Sequence, residues 1–383
     1  MELYLHIPFC VKKCLYCDFL SFPETVAGVE MRRQYVDKLA EEIKACGKRV
    51  GSREVTSIFI GGGTPSLLLP EQIRLLMRAM YDSFFVSADA EITIEANPGA
   101  FDEERVRCWR EEGINRLSLG LQSSHAKELQ LLGRIHTYEA FLESFHLARK
   151  AGFDNINVDL MSALPGQTLE DYQETLKKVL ALSPEHISAY SLIIEEGTPF
   201  HELYDESALP DEELDRRMYH ETKKELALHG YQRYEISNYA RSGRECRHNI
   251  GYWNGTDYLG LGIGAASLMD GKRFAVTTSL EQYLSSSAED FLHGKQYRNE
   301  ETLTEQERME EFMFLGLRLI QGVSAADFKR RFGRELESVY WEVLEKLEQD
   351  ELICMHGRGE TRRFSLTDYG LDVSNYVLSE FLL

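Results

Sequence analysis

Apolar and β-branched residues gather in short runs at about 3–7, 55–60, 90–96, 115–121, 155–161 and 186–193. Runs of that length predict strands. Between them apolar positions recur at helical spacing over Leu39 to Ala45, Gln72 to Met80, Glu103 to Glu112, Tyr138 to Ala151 and Leu169 to Leu182. One strand about every 30 residues is the rhythm of βα units, because parallel neighbours need a crossover. Six units fall short of the eight of a closed barrel. The pattern therefore predicts an α/β fold built as an open, partial (β/α)6 barrel, with a flat doubly wound sheet as the alternative.

After about residue 200 the rhythm stops. A helical stretch at 211–229 leads into a Tyr-, Gly- and His-rich segment at 231–271. Helices are expected at 304–320, 324–332 and 335–349, then a hairpin from Glu351-Leu-Ile-Cys-Met-His through a turn at Gly357 to Arg363-Phe-Ser-Leu. Three helices and a hairpin predict a helical, winged-helix-like module. The chain divides as barrel 1–230, connecting segment 231–295 and C-terminal domain 296–383.

In parallel α/β folds ligands gather at the carboxyl ends of strands. Polar residues close five successive strands here: Cys10, then Gly61-Gly62-Gly63-Thr64, Glu95, Gln122 and Asp159. Composition adds that the 383 residues, 43% hydrophobic and 11% aromatic, can bury a sizeable core. Acidic residues outnumber basic ones 63 to 43, a net charge of −20. Such a surface repels phosphate backbones, so no nucleic-acid partner is expected. Lys329-Arg330-Arg331 reads as a solvated helix face. No apolar run reaches the ~18–20 residues of a membrane span. The opening Met-Glu-Leu-Tyr-Leu-His-Ile-Pro-Phe-Cys lacks the features of a secretory signal. The cytoplasm is the expected compartment, and its seven cysteines are not expected to form disulfides.

Three of those cysteines crowd into Cys10-x3-Cys14-x2-Cys17. Thiolates suit zinc or iron–sulfur clusters. A structural zinc needs a fourth ligand, for which His6 is the candidate. A [4Fe–4S] cluster usually takes four cysteines, so three leave one iron open to a small molecule. S-adenosylmethionine can chelate such an iron through its amino and carboxylate groups. Cys46, Cys108, Cys246 and Cys354 are scattered and read as buried thiols.

The cysteine spacing, with Tyr16 before the third cysteine, is similar to that of the radical SAM superfamily. Within it the chain resembles the oxygen-independent coproporphyrinogen III oxidase group. The matching pieces are Tyr4-Leu-His-Ile-Pro-Phe-Cys10, Gly61-Gly-Gly-Thr-Pro-Ser66, Ile94-Glu-Ala-Asn-Pro98, Arg116-Leu-Ser-Leu-Gly-Leu-Gln122, Leu132-Gly-Arg134 and Val158-Asp-Leu-Met161. The resemblance implies a cluster on Cys10, Cys14 and Cys17. It assigns Tyr4, Tyr16, Gly62, Gly63, Thr64, Glu95, Gln122, Arg134 and Asp159 to S-adenosylmethionine. The residue types agree: glycines admit close approach, Arg134 can pair with a carboxylate, and Asp159 can hold ribose hydroxyls.

Two departures point away from the oxidases. They carry another cysteine two places after the third, where this chain has Phe19, and an N-terminal extension before the first strand. In addition, His248-Asn-Ile-Gly-Tyr252-Trp253 matches the H-N-x-x-Y-W motif of the HemW-type haem chaperones, and Gly260-Leu-Gly-Ile-Gly-Ala-Ala-Ser267 also fits them. That resemblance implies haem as cargo, with His248 as an axial ligand and Tyr252 and Trp253 as flat faces. It further implies haem-acceptor proteins as partners, membrane respiratory enzymes among them, and is compatible with a homodimer. No catalytic residue is assigned. Oxidation or dehydrogenation of coproporphyrinogen III stays as the alternative activity.

Overall fold

The computed structural model describes residues 1–383, the side chain of Glu206 excepted. Six parallel strands form its centre: β1 (Glu2–Ile7), β2 (Glu54–Gly62), β3 (Phe85–Ala96), β4 (Arg116–Gln122), β5 (Ile156–Ser162) and β6 (His186–Ser191). The crossovers carry α1 (Val29–Val50), α2 (Pro70–Ser83), α3 (Glu103–Glu111), α4 (Ala126–Leu131), α5 (Tyr138–Lys150) and α6 (Leu169–Leu182). The turns supply their own caps: Asp102, Thr137 and Thr168 accept backbone N–H bonds at the starts of α3, α5 and α6.

Strand alternation sorts the two faces. Leu117, Leu119 and Leu121 of β4 join the apolar layer under the helices, as do Ile58 and Ile60 of β2. The other face is polar: Ser118 and Asn157 hydrogen-bond across β4 and β5. Polar side chains thus line the inside of the curved sheet, and the core lies between sheet and helices.

The segment 231–295 does more than connect. After α7 (Pro199–Leu203) and α8 (Glu212–Leu228), β7 (Gln232–Arg233) and β8 (Asn238–Ala240) extend the sheet beside β6. Then α9 (Arg247–Trp253) precedes β9 (Tyr258–Leu261), which pairs in parallel with β1 on the opposite side. β10 (Ala266–Met269), β11 (Lys272–Val276) and β12 (Tyr297–Thr302) continue antiparallel, with α10 (Leu280–Ser285) and α11 (Ala288–Leu292) between the last two. The sheet has twelve strands in the order β12-β11-β10-β9-β1-β2-β3-β4-β5-β6-β8-β7.

A second core begins at Met309. It is built from α12 (Glu305–Gly316), α13 (Ala325–Phe332) and α14 (Leu336–Gln349). A small antiparallel sheet completes it: β13 (Val323–Ser324), β15 (Arg363–Leu366) and β14 (Ile353–His356), side by side in that order. α15 (Asp368–Asp372) and α16 (Ser374–Ser379) end the chain. On α13, Lys329 pairs with Glu335 and Arg330 with Asp327.

Glu42 locks α1 to the added strands. It is fully buried and accepts from Tyr283 OH at 2.6 Å and Gly262 N–H at 2.8 Å. Burial raises its pKa from 4.5 to about 7. Glu42→Ala strands both donors and is expected to destabilise the fold by about 2–4 kcal/mol in urea unfolding. The raised pKa makes the neutral carboxyl the stabilising form: its contribution is full below 4.5 and is lost as pH rises through about 7. Wild type is therefore expected to lose more stability than Glu42→Gln across that window; parallel curves would refute it.

Candidate functional site

The three-cysteine loop leaves the carboxyl end of β1. Phe9 and Cys10 pair in parallel with Phe22 and Pro23, closing the loop at its base. At its tip Leu15 donates to the Leu132 carbonyl at 3.1 Å and accepts from Phe200 N–H at 2.9 Å. Its side chain and Tyr16 pack on a small apolar cluster of Leu132, Leu164, Leu192 and Phe200. The backbone, and not the thiols, therefore sets the loop's course.

All seven cysteines are free. Thr64 donates to the Cys10 sulfur and Arg134 to the Cys14 sulfur, each at 3.5 Å. Burial pushes the Cys10 thiol up, and that of Cys17 up to about 11. Zinc completed by His6 does not fit: its Nδ1 bonds Tyr4 OH at 3.0 Å and its Nε2 the Leu20 carbonyl at 2.8 Å. Among the described residues no three His, Cys, Asp or Glu side chains converge as ligands of one ion must. Thiolates of a multi-iron cluster need not converge, because each takes a different iron.

The candidate cofactor residues of β2 to β5 collect at the same end. Gly62 has a φ of +112° and donates to Glu95 Oε2 at 3.0 Å. A Cβ on Gly63 would lie 2.8 Å from the Phe9 carbonyl oxygen and 3.0 Å from the Cys10 sulfur, so only glycine fits against the loop. Burial, then the nearby Asp159, raises the Glu95 pKa to about 8. Asp159 is held by Asn157 at 2.7 Å and Ser118 at 3.2 Å. Gln122 ends β4 with a φ of +70°, a strained conformation at the mouth. Tyr4 precedes His6 by two residues on the same face of β1, its hydroxyl against His6 Nδ1. Tyr16 reaches in from the loop; burial raises its pKa, opposed by Arg134.

Arg134 crosses the mouth. It donates to Asn97 Oδ1 at 3.0 Å and to the Gly120 carbonyl, while its buried Nε has no partner. A cavity of about 250 Å3 opens there, lined by Cys14, Thr64, Asn97, Arg134, His136 and Thr137 among others. The fit to a cluster and S-adenosylmethionine is good on these observations. Three thiols on a pinned loop, a half-buried arginine with a spare donor, a glycine cradle and two half-buried acids are what an iron cluster and a zwitterionic sulfonium require. Asn97 and His136 were not singled out from sequence, and His6 entered only as a zinc ligand. Asn97 had a signal, two places beyond Glu95 at the same strand end; His136 had none.

The H-N-x-x-Y-W helix, α9, lies at the other end of the barrel. His248 is 2% exposed, with Nδ1 bonded to Ser57 Oγ at 2.8 Å and Nε2 to Tyr252 OH at 3.1 Å. Its ring stacks on Phe59, and burial lowers its pKa to about 3. The open axial nitrogen expected of His248 is thus absent in this conformation, because both ring nitrogens are taken inside the protein. Tyr252 packs edge-on between His248 and Tyr258, and Trp253 lies under the Arg318 guanidinium at 4.3 Å. A hydrogen-bonded chain runs from this floor to the mouth: His248 N–H to Glu91, Cys246 N–H to Tyr234 OH, Tyr234 to His186, His186 to Asn157, Asn157 to Asp159. Cys246 joins the first two links through Sγ–H to Glu91 at 3.5 Å.

Comparison with known proteins agrees on one scaffold. The family model described as the radical SAM superfamily matches residues 4–179, and that of the HemN C-terminal domain residues 303–373. The heme chaperone HemW of Bacillus subtilis is 37% identical over 99% of this chain and 98% of its own. That of Haemophilus influenzae is 34% identical over 100% and 98%. A mitochondrial radical S-adenosyl methionine domain-containing protein 1 of Bos taurus is 33% identical over 93% and 82%. Among solved structures, coproporphyrinogen III oxidase (HemN) from Escherichia coli, a radical SAM enzyme, aligns with a TM-score of 0.84. It is 25% identical, over 100% of this chain and 89% of the oxidase.

Proposed function

The chain belongs to the HemW family of radical SAM proteins, and from that premise we propose that it binds haem and delivers it to haem-dependent proteins, respiratory enzymes among them. The observation that carries this is near-full-length likeness to haem chaperones in a chain that keeps H-N-x-x-Y-W and has Phe19 where the oxidases have cysteine.

In this reading Cys10, Cys14 and Cys17 would hold a [4Fe–4S] cluster, with S-adenosylmethionine bound beside it. Once bound, that pair supplies one-electron cleavage of a sulfonium. The chain's own residues set the frame. Arg134 holds the methionine carboxylate, Gly62, Gly63 and Thr64 admit its amino group, and Asp159 takes the ribose hydroxyls. Tyr4, Tyr16, Glu95 and Gln122 complete the wall, with Glu95 toward the sulfonium. For His248 to reach haem iron, α9 must leave Ser57 and Phe59, so ligation by His248 is coupled to opening of the barrel floor. No helix is long and apolar enough to cross a membrane. The protein works in the cytoplasm, alone or as a homodimer, and meets membrane acceptors from there.

The second reading, a coproporphyrinogen dehydrogenase, is favoured by the intact cofactor residues and the whole-chain likeness to the Escherichia coli oxidase. One cluster-loaded sample decides between them. Haem is expected to be taken up and passed to an apo-haem protein, while anaerobic incubation with S-adenosylmethionine, a reductant and coproporphyrinogen III yields no protoporphyrinogen. Turnover of the porphyrinogen without haem uptake would reverse the assignment.

A further inference from the structure

Where the carboxyl end of α9 meets the C-terminal domain, a crevice of about 250 Å3 opens between the β9–β10 edge and helices α12 and α13. Leu268, Phe312 and Leu315 make its apolar side, and Arg308 and Arg331 line it together with Asp257 and Glu311. The two acids are already committed, Asp257 to Arg53 at 3.1 Å and Glu311 to Arg273 at 2.6 Å. Among the described residues neither Arg308 nor Arg331 has a carboxylate partner. Arg331 instead donates to the Asn254 carbonyl at 2.6 Å and lies over the Phe312 ring. Desolvation in the crevice lowers its pKa, opposed by the Asp327 and Asp257 carboxylates and assisted by Arg330.

In a chain of net charge −20, two arginines on one crevice with no carboxylate in salt-bridge contact among the described residues mark an anion site. We propose that this crevice takes the propionate edge of haem, Arg308 and Arg331 holding the two carboxylates and Leu268, Phe312 and Leu315 covering the adjoining ring edge. The proposal rests on the haem-chaperone reading. Arginine pairs with carboxylate in a planar fork. Cofactor sites combine apolar walls with a few placed charges, and this crevice sets Leu268, Phe312 and Leu315 beside its charged side chains. The volume is below the roughly 300–1,000 Å3 of pockets that enclose a ligand. The macrocycle is therefore gripped by one edge, an arrangement suited to cargo that must leave. Trp253 lines a neighbouring crevice on the far side of Arg331 and Phe312, so the end of the H-N-x-x-Y-W helix borders the same wall.

The test is a titration of the full chain followed in the Soret band, with haem and with haem dimethyl ester as probes. Wild type is expected to bind haem at least about tenfold more tightly than the ester. R308E/R331E is expected to lose at least about tenfold in haem affinity but little for the ester, and R308K/R331K, which keeps the charge without the fork, to lose less than R308E/R331E. Equal affinity of wild type for haem and ester, or unchanged haem affinity in R308E/R331E, overturns the crevice assignment while haem binding stands. Failure of wild type to bind haem at all overturns the proposed function as well. The ester comparison needs no variant, so misfolding of R308E/R331E does not shield the assignment.

Discussion

Replacing Cys10, Cys14 and Cys17 together by alanine is expected to give a folded protein that acquires no iron–sulfur cluster. Wild type reconstituted anaerobically with iron and sulfide should hold about four irons per chain and the triple variant almost none. The loop's course argues that the fold survives. Leu15 is fixed through its backbone to Leu132 and Phe200, and Cys10 lies in a strand pair with Pro23. None of these contacts uses a thiol. The far-UV spectrum and urea midpoint should therefore match those of the wild type without metal. Iron retained by the triple variant would remove the assignment. One zinc per wild-type chain, lost on replacing His6, would move it to a zinc loop.

Gly251→Ala is expected to have the largest effect on stability of any single methyl added to α9. A Cβ there would lie 1.8 Å from Glu2 Oε1. Glu2 is 3% exposed, and burial raises its pKa to about 8, so it sits as a neutral acid beside His248. Its Oε2 has no partner, and it has no solvent to retreat into. Overpacking of this kind is expected to cost about 3 kcal/mol or more, read as a lower urea midpoint. Adding Glu2→Ala makes room for the methyl, and the double variant should regain part of the loss. A midpoint unchanged in Gly251→Ala would show that the floor yields freely. Because Gly251 lies inside the H-N-x-x-Y-W motif, haem loss in such a variant reports packing and not ligation.

The first half of the chain was open to reading because its strands are long and each is followed by an amphipathic helix. The prediction for α6, Leu169 to Leu182, matches the observed span. α1 begins ten residues before its predicted start, since Arg32 and Tyr35 are buried polar-type residues that interrupt the apolar stripe. The strands β7 to β11 escaped detection for a different reason. They are two to five residues long, too short for alternation to register, and β9, which contains Gly260, finds its place only by pairing with β1. At the site, the cysteines announced themselves by spacing. His248 did not announce its burial, because a His-Tyr-Trp run carries no sign of which nitrogen a distant Ser57 will occupy.

The parallel pairing of β9 with β1 also has a consequence in time. Glu2 lies opposite Tyr258, so β1 waits for a strand synthesised roughly 250 residues later, a delay of about 10–50 s at usual elongation rates. Contacts that distant slow folding, since the intervening chain must first be closed into a loop. During that interval the nascent chain already exposes its three thiols, while the strand that flanks β1 on its far side and the helix that floors the barrel are still unmade. Metal delivery is therefore expected to follow release of the chain. A ribosome-stalled fragment ending before Tyr258 should take up cluster less durably than the finished protein.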